Sequence, residues 1–144
     1  MSVLLAAPPD ILRWSPRSRG HGDCAVSALE LACGVSYETA LAAAVTVNLT
    51  VLGTGLTLPA MRQAAKLLGF KVRFHRAFDI DEDTGILWLV QAVSENGDHA
   101  AYLWEGRVVE PMQGREQLWL SARAYLAHYK YTVQGLLAVE EHAT

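Results

Sequence analysis

The chain changes its hydrophobic period once, near Gly69, and that change constrains the fold more than any other feature of its 144 residues. Up to that glycine, apolar residues recur at the three-to-four spacing of helices that pack by one face. Beyond it, Phe70-Lys71-Val72-Arg73-Phe74-His75 alternates with a period of two, as a half-buried strand does. Helices first and strands afterwards predict an α+β protein, its N-terminal helices packed on a C-terminal antiparallel sheet.

Three capped segments make up the helical part. Asp23 is a good N-cap for a helix through Val26, Leu29 and Ala32, which Gly34 ends. Ser36 caps a second helix, beginning Tyr37-Glu38-Thr39, that fades into the β-branched run from Val45 to Val51. After a break at Gly53-Thr54-Gly55, Thr57 caps a third, with Pro59 in its first turn and Gly69 just past its end. In the strand part, Ile86-Leu87-Trp88-Leu89-Val90 is a continuous apolar run suited to a central strand. A Glu95-Asn96-Gly97-Asp98 turn leads to strand 99–104, a tight Glu105-Gly106 turn and strand 107–111. Ser121 caps a short helix to Tyr129, and residues 131–139 make the last strand. Residues 1–22, broken by Pro8, Pro9, Pro16 and Gly20-His21-Gly22, read as an irregular arm; residues 23–144 read as a single domain.

Composition removes several classes of function. With 51% hydrophobic and 19% charged residues, the chain is globular, and a net charge of −3 gives no reason to expect nucleic acid as a partner. Arg13, Arg17 and Arg19 are a local exception, a positive stretch just before Cys24. No run approaches the roughly 18 apolar residues of a membrane span, and the N-terminus lacks the basic start of an export signal. Cys24 and Cys33, on one helix, would stand roughly 13 Å apart, too far for a disulfide. A reduced, cytoplasmic setting is expected. Four carboxylates lie between Asp79 and Asp83, but without the ligand order of a calcium loop they read as solvated. His21-x-x-Cys24 is a lone dyad where closed zinc sites show pairs, so neither metal nor another cofactor is expected.

Chemistry concentrates at two positions. Cys24, within Gly22-Asp23-Cys24-Ala25-Val26, falls at a helix start, where unpaired backbone N–H groups and the helix dipole favour negative charge. Thiolate is the nucleophilic form, and small neighbours let a substrate approach. His99 opens the strand His99-Ala100-Ala101-Tyr102-Leu103-Trp104. A two-residue turn at Glu105-Gly106 pairs Trp104 with Arg107 and Ala101 with Glu110, which sets Glu110 diagonally from His99 on one face. A carboxylate there can orient an imidazole that takes a proton from a nucleophile. Cys33, between Ala32 and Gly34, reads as structural.

The segments Asp23-Cys24-Ala25-Val26-Ser27-Ala28-Leu29 and Gly34-Val35-Ser36-Tyr37-Glu38 resemble the nucleophile helix, and the step into a second helix, of papain-like bacterial cysteine peptidases. The group they most resemble is the leader peptidases that process double-glycine bacteriocin precursors. Gly55 to Met61 and Gly69 to Val72 resemble that family's third helix and following strand, and His99 and Glu110-Pro111 match its last two motif positions. The resemblance spans roughly residues 18–139. It implies a papain-like fold, a Cys24–His99–Glu110 triad, and a peptide or protein substrate. Two departures stand out: Ser18 replaces the family's oxyanion-holding Gln, and Glu110 replaces its Asp. The oxyanion donor beside the Cys24 N–H would then be Ser18 or His21. Losing one such donor typically costs about 10²–10³ in rate, so a weak or inactive peptide-binding module is the alternative expectation.

Overall fold

The computed structural model describes residues 23–51, 55–91, 98–112 and 115–141. The arm, with Ser18 and His21, and the turn before Asp98 lie outside the described residues. Helices α1 (Asp23–Cys33), α2 (Tyr37–Val47) and α3 (Leu58–Leu67) come first. Strands β1 (Phe70–His75), β2 (Thr84–Gln91), β3 (Asp98–Trp104), β4 (Arg107–Met112) and β5 (Arg115–Trp119) follow. Helix α4 (Ala122–Tyr129) and β6 (Tyr131–Glu141) complete the chain. The expected α+β order holds.

Local chemistry sets the helix ends. Ser36, Thr57 and Ser121 each accept a hydrogen bond at the side-chain oxygen from the backbone N–H three residues on, satisfying a donor the helix cannot. At the far end of α1, Gly34 takes φ 65° and the Val35 N–H reaches the Glu30 carbonyl at 3.3 Å. That closure needs the left-handed backbone that glycine adopts most easily. One expectation shifts: Asp23 is itself helical, the first residue of α1 and not its cap.

All strand pairs are antiparallel, in the order β1-β6-β2-β3-β4-β5. Each face of this sheet carries its own core. On one face, Ile86, Trp88, Ala100 and Leu137 pack with α1, α2 and α3 through Val26, Leu29, Ala40, Met61 and Ala64. On the other, Leu87, Leu89, Ala101, Leu103, Val108 and Leu136 pack with Ala122 and Tyr125 of α4. β2 is central and covered on both sides, which is why its apolar run is unbroken.

The β3–β4 hairpin has the expected register, with Trp104 opposite Arg107 and Tyr102 opposite Val109. Glu105 and Gly106 both take positive φ, 46° and 82°, as this two-residue turn requires. The Arg107 guanidinium lies 4.7 Å from the Trp104 ring centroid, and the Gly106 carbonyl accepts a 2.7 Å bond from the Ala122 N–H at the start of α4. The acidic loop closes on itself: Asp83 accepts from the Asp79 N–H and Asp79 from the Asp81 N–H.

β6 contains a bulge. Trp88 pairs with Gly135 but Leu89 pairs with Val133, leaving Gln134 as an extra residue. Alternation is therefore interrupted: Val133 and Leu136 lie on the α4 side, Leu137 and Val139 on the α1–α3 side. Among the described residues no helix is long and apolar enough to cross a membrane.

Candidate active site

Helix α1 lies along β3. Ala25 to Leu29 join the core that contains Ala100, whereas Leu31 packs against Val109 and Leu118 beside Tyr102 and Trp104. Helix α1 packs against β3 and β4, and Cys24 is its second residue. His99 is the second residue of β3. The thiol and the imidazole thus stand on two elements that pack together, each side chain second in its element.

They do not belong to one face. His99 is paired directly with Leu89, whose side chain lies in the α4-side core, while the next residue, Ala100, faces α1. The imidazole stacks on Tyr131, with ring centroids 5.2 Å apart and planes 9° from parallel. Tyr131 in turn lies 5.7 Å from the rings of both Tyr125 and Tyr129. Trp119 and His128 extend the group, the indole 5.8 Å from Tyr125 and 5.2 Å from His128. His99 is thus held at the margin of an aromatic cluster.

Tyr131 is the residue that sequence reasoning missed. Its position opposite Gln91, together with the bulge at Gln134, puts its ring on the His99 side. No local motif announces that; the spacing between Tyr131 and Leu136 is odd, and unbroken alternation would place them on opposite faces.

The remaining expected residues are reached only in part. Glu110 pairs with Gln117, and the β3–β4 pairing extends to Tyr102–Val109, one step short of the expected Ala101–Glu110 pair. The Glu110 side chain lies outside the described residues, as do Ser18 and His21. Cys24 is half-buried and Cys33 buried, and neither is in a disulfide. Burial pushes the Cys33 thiol up to about 12, which keeps it protonated and inert. No cluster of three metal-ligating side chains occurs among the described residues.

The fold is that of an α+β protein with a cysteine in the first turn of a helix and a histidine at the start of the strand that helix packs against. No protein-family model matches the chain, and no curated protein matches it in sequence.

Proposed function

We propose that this domain is a papain-like cysteine hydrolase acting on a peptide or amide, with Cys24 as nucleophile, His99 as proton carrier and Glu110 as the group that orients His99. What supports this reading is the packing of α1 against β3, with Cys24 and His99 each the second residue of its element. Because α1 and the His99 ring lie on opposite faces of the sheet, the reaction requires the two side chains to reach each other around the end of the sheet.

In the reaction, His99 takes the Cys24 proton and the sulfur attacks the carbonyl carbon. The tetrahedral oxyanion accepts a hydrogen bond from the Cys24 N–H, with Ser18 or His21 as the second donor. Collapse breaks the C–N bond as His99 returns the proton to the leaving amine. Water, deprotonated by His99, then attacks the thioester, and the acid leaves as the thiol reforms. A reducing, cytoplasmic compartment keeps such a thiol available.

The test is kinetic. Cys24→Ala should abolish turnover of a peptide library read by mass spectrometry while the folded spectrum is kept. His99→Ala should lower turnover by about 10³ or more and slow alkylation of Cys24 by iodoacetamide. Turnover that survives Cys24→Ala would sink the proposal.

A second reading, a papain-fold module that binds a peptide without cleaving it, draws on two observations. Ser18 stands where the family's oxyanion Gln would be, and the His99 ring is engaged by Tyr131 on the face away from α1. Alkylation of Cys24 that is indifferent to His99→Ala would favour it.

A further inference from the structure

The sheet has an open edge beside a groove. β1 is terminal in the strand order and pairs only with β6 among the described residues. Its outer backbone N–H and C=O groups are a template for another strand. Between that edge and α3 runs a groove of about 320 Å³ lined by Arg62, Lys66, Phe70, Lys71 and Val72.

The lining has two kinds of group. Phe70 and Val72 are partly buried and lean on the helix-side core, giving the groove an apolar floor. Arg62 and Lys66, four residues apart on α3 and exposed, form one wall, and Lys71 also lines the groove but, alternating with Phe70 and Val72, extends from the other face of β1. No carboxylate lines the groove, and none of the three cations has an ion-pair partner among the described residues. Glu140 and Glu141 pair across from Lys71 and Phe70 on β6, behind the open edge.

We infer that this groove docks an extended acidic segment of a partner protein, which adds to β1 as a further antiparallel or parallel strand. Strand addition satisfies the edge backbone; on the helix-side face apolar side chains meet the Phe70–Val72 floor and carboxylates answer Arg62 and Lys66, while carboxylates on the other face meet Lys71. Charge selects this occupant over two others. A second copy pairing by the same edge would set Lys71 and Arg73 against their own kind. The chain's own arm would bring Arg13, Arg17 and Arg19 to a positive groove. The groove is built from α3 and β1, not from α1 and β3, so the inference is independent of the chemistry at Cys24.

The full-length protein is titrated into a fluorescein-labelled peptide of Val-Glu-Glu-Glu repeats, which carries both valine and glutamate on one face and glutamate alone on the other, and anisotropy is read. Saturable binding is expected. The double variant Arg62→Glu, Lys66→Glu changes exposed residues only, so it should fold normally by circular dichroism and bind at least about tenfold more weakly. Peptides N-methylated at alternate residues, one in each frame, report the backbone. At least one should bind about tenfold more weakly, because its edge donors are gone. Four results would overturn the inference: no saturable binding; equal binding by the double variant; equal binding by both N-methylated peptides; or displacement by an equal concentration of oligothymidylate, which would mark a general anion patch. A dimer of the wild-type protein that Arg73→Glu dissociates would instead assign the edge to a second copy and overturn it too.

Discussion

Cys24 and Cys33 are one helix apart in reactivity. Cys24 is half-buried in the first turn of α1, whereas Cys33 is buried in the last with its thiol pushed up to about 12. Iodoacetamide should therefore modify Cys24 in the folded protein and Cys33 only after unfolding, as peptide mapping would show. The Cys33 shift also makes stability depend on pH. The unfolded chain ionises this thiol near its ordinary value of 9.0, while the folded protein holds the proton to about 12. Above pH 9 the folded state binds more protons than the unfolded one, so stability falls as pH rises, by at most about 1.4 kcal/mol per pH unit from this group. Urea unfolding between about pH 8 and about pH 10.5 should show that decline, and Cys33→Ala should flatten it. The residue-level reading of the sequence went far with such positions. Cys24 at a helix start and Cys33 as structural were both legible, because helix phase and neighbouring residues decide them. The partner of the His99 ring was not legible, because Tyr131 is distant in sequence and reaches it through pairing.

Elements announced themselves in proportion to their patterning. β1 alternates cleanly and β2 is an apolar run, so each was found within a few residues of its observed bounds. β5, Arg115-Glu116-Gln117-Leu118-Trp119, was missed, since three polar residues in a row show neither period. It is a strand because β4 supplies a ladder and because Leu118 and Trp119 each find a core, one on either face. Close approach between strands was equally hidden. A β-carbon added at Gly85 would overlap the backbone carbonyl oxygen of Leu137, on the neighbouring strand β6. Backbone cannot turn aside as a side chain can, so Gly85→Ala should cost about 1–3 kcal/mol in denaturant unfolding. Gly106, at the turn, is governed by its φ of 82° rather than by space.

As a whole, the molecule is a sheet between two unequal helical layers, and neighbouring residues of one strand serve both. Leu87 and Trp88, or Leu136 and Leu137, point to opposite cores. Damage on either side is therefore felt by the shared backbone. Leu29→Ala under α1 and Tyr125→Ala under α4 should each cost about 2–5 kcal/mol and lower one common transition. Far-ultraviolet and near-ultraviolet circular dichroism should then melt together for both variants; separate melts would show that the layers unfold independently. The bulge in β6 has a different kind of leverage. Because Gln134 is surplus to the ladder, the two halves of β6 are out of step in sequence yet both in register with β2, and the extra residue is absorbed at the bulge. Excising Gln134 would restore one-for-one pairing. Leu137 and Val139 would keep their seats on the helical side, and Tyr131, still opposite Gln91, would stay on the His99 side. Deletion of this one surplus residue should thus be tolerated and leave the His99 ring-proton resonances in place, whereas a shift in them would show that the bulge itself holds the stack.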